Sequence, residues 1–235
     1  MTVFLVYGRT GWIGGKIGKI LTEQGHKWAY GDARIEDRQG VIEDIERTKC
    51  THIINAAGVT GRPNVDWCED HKIETIRSNV IGALTLCDIA HQRDIHVTNF
   101  ATGCIYTYDE AHSIGGKPFT EKDDPNFFGS FYSETKSYME MMLRHFPNVL
   151  QCRLRMPIDA DLDNPRNFIK KIANYAKVVN IPNSMTVLEE FVPMAIDGAL
   201  RGLTCKCSPA HSLCTRAGLP GCHFDRNRSR CGRFG

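Results

Sequence analysis

The sequence predicts an α/β chain: a doubly wound parallel sheet followed by a small, cut-short C-terminal region. Three observations carry this expectation. Short apolar, β-branched runs alternate with longer segments of helical periodicity. The first run is β-branched and apolar nearly throughout, as in a strand covered on both faces. The first run opens directly into a glycine-rich turn. At 235 residues, 42% hydrophobic and 24% charged, the chain has the length and composition for one domain with an appendage.

Thr2–Tyr7 (TVFLVY) reads as a buried strand. After the glycine turn a helix runs from about Trp12 to Gln24, with Ile13, Ile17, Ile20 and Leu21 at helical spacing, and Gly25 stops it. Lys27–Gly31 is a second short strand. Arg38–Thr48 is a helix with Val41, Ile42 and Ile45 on one face. His52–Asn55 is a strand, and Asp70–Arg93 one long helix through Ile73, Ile76, Val80, Leu84 and Ile89. His96–Ala101 is a strand, Phe131–Phe146 a helix and Val149–Arg155 a strand. The expected division is a nucleotide-binding unit over 1–155, a partial substrate region over 156–204, and a tail over 205–235.

The tail differs in composition. It holds Cys205, Cys207, Cys214, Cys222 and Cys231, half of the 10 cysteines. Its six basic residues face one acid, Asp225, so +5 sits on the tail and −3 on the body of a chain of net +2. No C-x-x-C pair is present, which argues against a zinc site, and no metal is assigned. The tail is expected to be disordered, the product of a shifted reading frame or an unusual splice. The apolar runs are too short to span a bilayer, and the signal-peptide layout is absent. A cytoplasmic protein is expected, with no membrane partner. The small net charge argues against nucleic acid.

Gly8-Arg9-Thr10-Gly11-Trp12-Ile13-Gly14 joins the first strand to the first helix. Glycines allow the tight turn and let backbone approach a pyrophosphate, and the helix N-terminus offers N–H groups to it. Dinucleotide binding follows, through Gly8, Arg9, Thr10, Gly11, Trp12 and Ile13. Asp32 and Arg34 lie at the end of the second strand, where the adenosine ribose is expected. An acid there suits the 2′-hydroxyl of NADH and an arginine the 2′-phosphate of NADPH. Arg9 and Arg34 together favour NADPH, with NADH as the other option.

Tyr132 and Lys136 stand four apart on one helix face. With the glycine turn, Asn55-Ala56-Ala57-Gly58 and Thr102, they resemble the extended short-chain dehydrogenase/reductase superfamily, a Rossmann fold. The resemblance implies that Tyr132 is the acid/base, that Lys136 lowers its pKa and holds the nicotinamide ribose, and that Thr102 polarises the substrate oxygen. It adds Asn55, Ala56 and Ala57 to the cofactor site. Asn79, in SNVIG, resembles the helix asparagine that supports the lysine through water; capping or a polar surface is its other reading.

The stretches FLVYGRTGWIGG, NAAGVTGRPNVDWCE, NFATGCIY, RMPI, NPRNFIKK and KVVNIPNSMTVL narrow this. They resemble the plant-type nucleotide-rhamnose synthase/epimerase-reductases from about Val3 to Thr204. That resemblance implies a nucleotide-sugar partner: a UDP- or dTDP-4-keto-6-deoxyglucose, epimerised at C3 and C5 and reduced at C4. It also allows a homodimer. It implies Cys104 and Lys171 as the epimerisation pair, although Cys104 also reads as a small buried side chain and Lys170 adjoins Lys171. Arg62, Asn64 and Asp66, in a polar loop, and Asn167 are the candidate substrate contacts. Thr102-Gly103-Cys104 lacks the Thr-Asp-Glu of 4,6-dehydratases. No histidine lies between His145 and His211 to serve as in GDP-fucose synthase. A nucleotide-binding regulatory subunit and an inactive fragment remain the alternatives.

Overall fold

The computed structural model describes residues 1–178 and 180–204, together with the backbone of Lys206 and Cys207. Six parallel strands form the main sheet, in the order β2-β1-β3-β4-β5-β8. These are β1 (Val3–Tyr7), β2 (Lys27–Tyr30), β3 (His52–Asn55), β4 (His96–Thr102), β5 (Val149–Leu154) and β8 (Lys206–Cys207). A second, two-stranded sheet pairs β6 (Pro157–Ile158) with β7 (Thr186–Val187). Because β1 has β2 on one side and β3 on the other, the winding reverses at their carboxyl ends. In doubly wound sheets that crevice is where ligands bind.

All five residues of β1 are buried, and successive side chains serve opposite faces. Leu5 and Tyr7 join a cluster with Val41, Ile53, Leu86, Val97 and Met139. That cluster lies against α2 (Arg38–Thr48), α5 (Gly82–His91) and α6 (Phe131–Leu143). Phe4 and Val6 join Ile17, Leu21, Ile54, Leu150, Phe191 and Ile196 on the other face, under α1 (Trp12–Glu23) and α8 (Leu188–Leu200).

The expected single helix over 70–93 is broken. The chain instead forms α3 (Trp67–Asp70), α4 (Lys72–Ile76), a π-helical turn (Arg77–Ile81) and then α5. The wider turn carries Asn79 inward. Its side chain accepts from the Val59 N–H at 2.8 Å and donates to the Val59 carbonyl at 2.9 Å. Asn79 thus fastens the loop after β3, and π turns of this kind gather at functional sites.

The expectation for 205–235 lies almost wholly outside the described residues. One difference is visible: the backbone at 206–207 continues the sheet, Gln151 opposite Lys206 and Cys152 opposite Cys207. No helix among the described residues is long and apolar enough to cross a membrane.

Candidate active site

The glycine turn lies against the loop after β3. Gly8 has φ +99°, and a Cβ there would stand 2.7 Å from the Ala56 carbonyl carbon and 2.9 Å from the Ala57 nitrogen. A Cβ on Gly14 would strike the Gly8 carbonyl. Only glycine allows this approach. The first turn of α1 begins at Gly11 with no side-chain cap, which leaves backbone N–H groups directed at the crevice. Asn55 is buried; its amide donates to Asn99 at 2.8 Å and accepts the Ala57 N–H at 3.1 Å. It shapes the Ala56–Ala57 backbone. The Trp12 indole turns away and donates to Asp159 at 3.2 Å, while Ile13 packs on the core. Trp12 and Ile13 therefore have backbone to offer a dinucleotide, and Thr10 is exposed in the turn. The cradle, kept open by Gly8, Gly11 and Gly14, fits a pyrophosphate.

At the end of β2, Arg9 pairs with Asp32 at 3.1 Å. The expected companion, Arg34, is turned to Glu36 at 3.0 Å. Arg47, on α2, takes its place and reaches Asp32 at 3.1 Å and Asp44 at 2.5 Å. Asp44 is buried and accepts the N–H groups of Asp32 and Ala33 and the Tyr7 hydroxyl. Burial opposes its charge, yet these bonds hold its pKa below the usual carboxylate value. Sequence spacing gave no signal for Arg47 or Asp44.

The start of α6 is fixed twice. Ser130 accepts the Ser133 N–H at 3.1 Å, and Glu69 accepts the Phe131 N–H at 2.7 Å. Tyr132 follows at once, buried, with its phenol beside the Thr102 hydroxyl, which also accepts the Cys104 N–H at 3.1 Å. Burial and the neighbouring Cys104 raise its pKa; Thr102 and Arg155 lower it. Lys136, one turn on, is buried, and burial lowers its pKa to about 8 while Glu140 opposes the fall. Glu140 in turn forms a buried ion pair with Arg153 of β5, at 2.5 Å. The Ser133 hydroxyl donates to the Cys104 carbonyl at 2.6 Å, which ties the turn after β4 to α6. Thr102, Cys104 and Tyr132 thus gather at the carboxyl end of β4, with buried Lys136 one helical turn along α6 from Tyr132.

A cavity of about 330 Å³ opens at the loop after β3, lined by Gly58, Val59, Thr60, Gly61, Arg62, Trp67 and Arg166. Arg166 donates to the Thr60 hydroxyl at 3.0 Å and to the Gly61 carbonyl at 3.3 Å. Arg62 is exposed at the rim. Asn64 is bonded to Asp66 at 2.9 Å, shaping the entry to α3. Asn167 is fully buried. It caps α7 (Phe168–Ala173) and donates to the Asp159 and Asp161 carbonyls, each at 2.9 Å. It therefore holds the loop that carries α7, a different use from the substrate contact expected of it. Lys170 is turned to the Asp163 carbonyl at 2.7 Å. Lys171 is half-buried, and burial followed by the Arg166 charge lowers its pKa. That separates the two lysines, which their adjacency in the sequence did not. Among the described residues no three His, Cys, Asp or Glu side chains gather as metal ligands.

The chain is similar to known proteins over most of its length. Residues 4–153 match the model of the NAD dependent epimerase/dehydratase family. A bifunctional dTDP-4-dehydrorhamnose 3,5-epimerase/dTDP-4-dehydrorhamnose reductase of Arabidopsis thaliana is 57% identical over 202 residues, 86% of this chain and 67% of that protein. A trifunctional UDP-glucose 4,6-dehydratase/UDP-4-keto-6-deoxy-D-glucose 3,5-epimerase/UDP-4-keto-L-rhamnose-reductase of the same plant is 58% identical over 85% of this chain, but the match spans only 30% of that protein. The crystal structure of the UDP-rhamnose synthase of Acanthamoeba polyphaga mimivirus has a TM-score of 0.83 at 36% identity, over 88% of this chain and 74% of that one.

Proposed function

Because the chain belongs to the NAD dependent epimerase/dehydratase family, we propose that it is an NADPH-dependent enzyme of nucleotide-rhamnose formation. Its substrate is a nucleotide 4-keto-6-deoxyglucose, UDP- or dTDP-linked. It inverts C3 and C5 and then reduces the C4 ketone. The cofactor rests on the Gly8–Gly14 turn and the Asn55–Ala57 loop, with Asp32 at the adenosine ribose and Arg9 and Arg34 or Arg47 at a 2′-phosphate. NADH is accepted less well. When bound, the reduced nicotinamide supplies the hydride.

Tyr132 gives its phenolic proton to the C4 oxygen, and Thr102 donates a second hydrogen bond there. Lys136 keeps a positive charge one helical turn from the phenol, so the phenolate left behind is stabilised. For epimerisation the 4-ketone acidifies the C3 and C5 protons. Cys104 and Lys171 serve as base and acid: one takes the proton from carbon to form the enolate and keeps it, and the other delivers its own proton to the opposite face. A lysine whose pKa is lowered by burial can hand a proton either way nearer neutrality. Arg62 and Arg166 at the cavity suit the anionic nucleotide half of the substrate.

The observation that carries the proposal is the meeting of Tyr132, Thr102 and Cys104 at the end of β4, with buried Lys136 behind them. The test is NADPH oxidation by the full chain with UDP-4-keto-6-deoxyglucose, followed by sugar analysis. Formation of UDP-rhamnose, abolished in Tyr132→Phe with NADPH binding retained, supports the proposal. Tight NADPH binding with no turnover would reject it in favour of a nucleotide-binding regulatory or inactive chain.

A further inference from the structure

Arg155 lies across the turn that carries Thr102, Gly103 and Cys104. Its stem packs on Gly103: a Cβ at that glycine would stand 3.4 Å from the Arg155 Cβ and 3.5 Å from its Cδ. Its guanidinium donates through Nη1 to the Gly103 carbonyl at 3.2 Å and through Nε to Asn183 Oδ1 at 2.9 Å. Both acceptors are neutral, so these bonds leave the charge uncancelled. The Arg155 backbone is clamped as well. Its N–H donates to the Thr186 hydroxyl at 3.0 Å, and its carbonyl accepts the Thr186 N–H at 2.8 Å. The next residue, Met156, has φ +41°, a left-handed conformation that a long side chain rarely adopts and that tends to persist at functional sites. The neighbouring glycine, the clamp and the strained turn all serve the placement of one half-buried guanidinium.

That guanidinium holds the turn that carries Thr102 and Cys104, and its positive charge lowers the Tyr132 pKa against the rise that burial and Cys104 impose. It also spans the gap between the β4 turn and the 183–186 segment, two stretches joined by no other described side chain in this way.

We propose that Arg155 is a positioning residue of this active site: its guanidinium pins the Thr102–Gly103–Cys104 turn against the 183–186 segment and supplies the positive charge that turn faces. This rests on the reading of the site as a ketosugar epimerase-reductase. Losing the charged hydrogen bond to Gly103 is expected to slow turnover about tenfold or more.

The test uses the full chain with Arg155→Met and Arg155→Lys. In Arg155→Met, kcat for ketosugar reduction is expected to fall about tenfold or more, with KM for ketosugar and NADPH within about twofold of the wild type. Arg155→Lys, which keeps a charge but not the two-pronged span, is expected to recover part of the loss. Amide exchange over residues 99–106 should rise in Arg155→Met and fall back in Arg155→Lys, and this measurement needs no turnover. If Arg155→Met does not fold, Asn183→Ala, which frees the other prong, must lower kcat with KM unchanged. A kcat within twofold of the wild type overturns the proposal, as does a Lys variant no better than Met, or unchanged exchange over 99–106. A wild-type chain that binds NADPH but turns over no ketosugar fails the functional reading instead, and the exchange measurement still decides the role of Arg155.

Discussion

Glu140→Gln puts the support of Lys136 to the test. Glu140 is wholly buried, and Arg153 opposite is 1% exposed. Three guanidinium bonds join them, from Nε at 3.2 and 3.0 Å and from Nη2 at 2.5 Å. The amide of glutamine keeps the shape but sets its own donors against those of Arg153. The remaining partners, the Thr120 carbonyl at 3.0 Å and the Tyr106 ring at 5.1 Å, do not neutralise the charge. Removing one partner of a buried pair costs about 3–5 kcal/mol. At about 2–4 °C per kcal/mol for a domain of this size, the melting temperature should drop by roughly 6–20 °C. Catalysis should change separately. Lys136 is protonated below about pH 8, and Glu140 resists the fall that burial imposes. Without that carboxylate the alkaline limb of the reductase profile should move toward neutrality. The sign for stability is the reverse. From about pH 8 to 10.5 the unfolded chain holds the Lys136 proton and the folded chain does not, so stability rises with pH across that window. Thermal melts and NADPH oxidation measured across pH would check both. Adding Arg153→Met removes the second charge and should recover much of the lost stability, since an apolar replacement of a buried pair is often neutral. A melting drop under about 2 °C, or an unmoved alkaline limb, would refute the reasoning.

Other outcomes follow from the same geometry. Tyr132→Phe should lower ketosugar reduction by about 100-fold or more while leaving NADPH affinity near the wild-type value in a titration. Cys104→Ser and Lys171→Ala should each slow solvent deuterium uptake at C3 or C5, with reduction of an already epimerised ketosugar retained; uptake unchanged in both would dismiss the pair. Gly8→Ala forces a side chain onto the Ala56 carbonyl at positive φ and should abolish dinucleotide binding, read by calorimetry. Arg47→Ala should weaken NADPH more than NADH, and Arg34→Ala should do so less; the opposite ranking would restore Arg34 to the phosphate.

Much of this was open to reading along the chain. Strands such as Val3–Tyr7 and His52–Asn55 are short apolar runs bounded by turn residues, and the Tyr132–Lys136 spacing places both on one helix face. These are local signals. What escaped is what non-adjacent residues decide. The SNVIG stretch marked Asn79, but its π turn and its two bonds to Val59, 20 positions earlier, leave no trace in the helical period. Arg166 finds Thr60 across 106 residues, and no spacing rule reaches that far. Asn167 stands in a motif suggestive of substrate, yet the carbonyls of its own loop satisfy its amide first. The helix from Leu188 to Leu200 encloses Pro193, a residue that argues against helix when read alone.

The brace between α1 and the loop after β6 carries a thermodynamic consequence. Lys16 reaches Asp159 at 2.8 Å and Glu189 at 2.7 Å, and the Trp12 indole reaches the same aspartate across 147 residues of chain. Burial works against the Lys16 charge, but the two carboxylates prevail and raise its pKa. The helix whose first turn borders the glycine cradle is thus bolted to the loop that leads into Asn167 and Lys171. A ligand that quiets one end restrains the other, and such coupling is symmetric. Whatever factor a bound dinucleotide adds to the affinity for the sugar nucleotide, the sugar nucleotide returns in full.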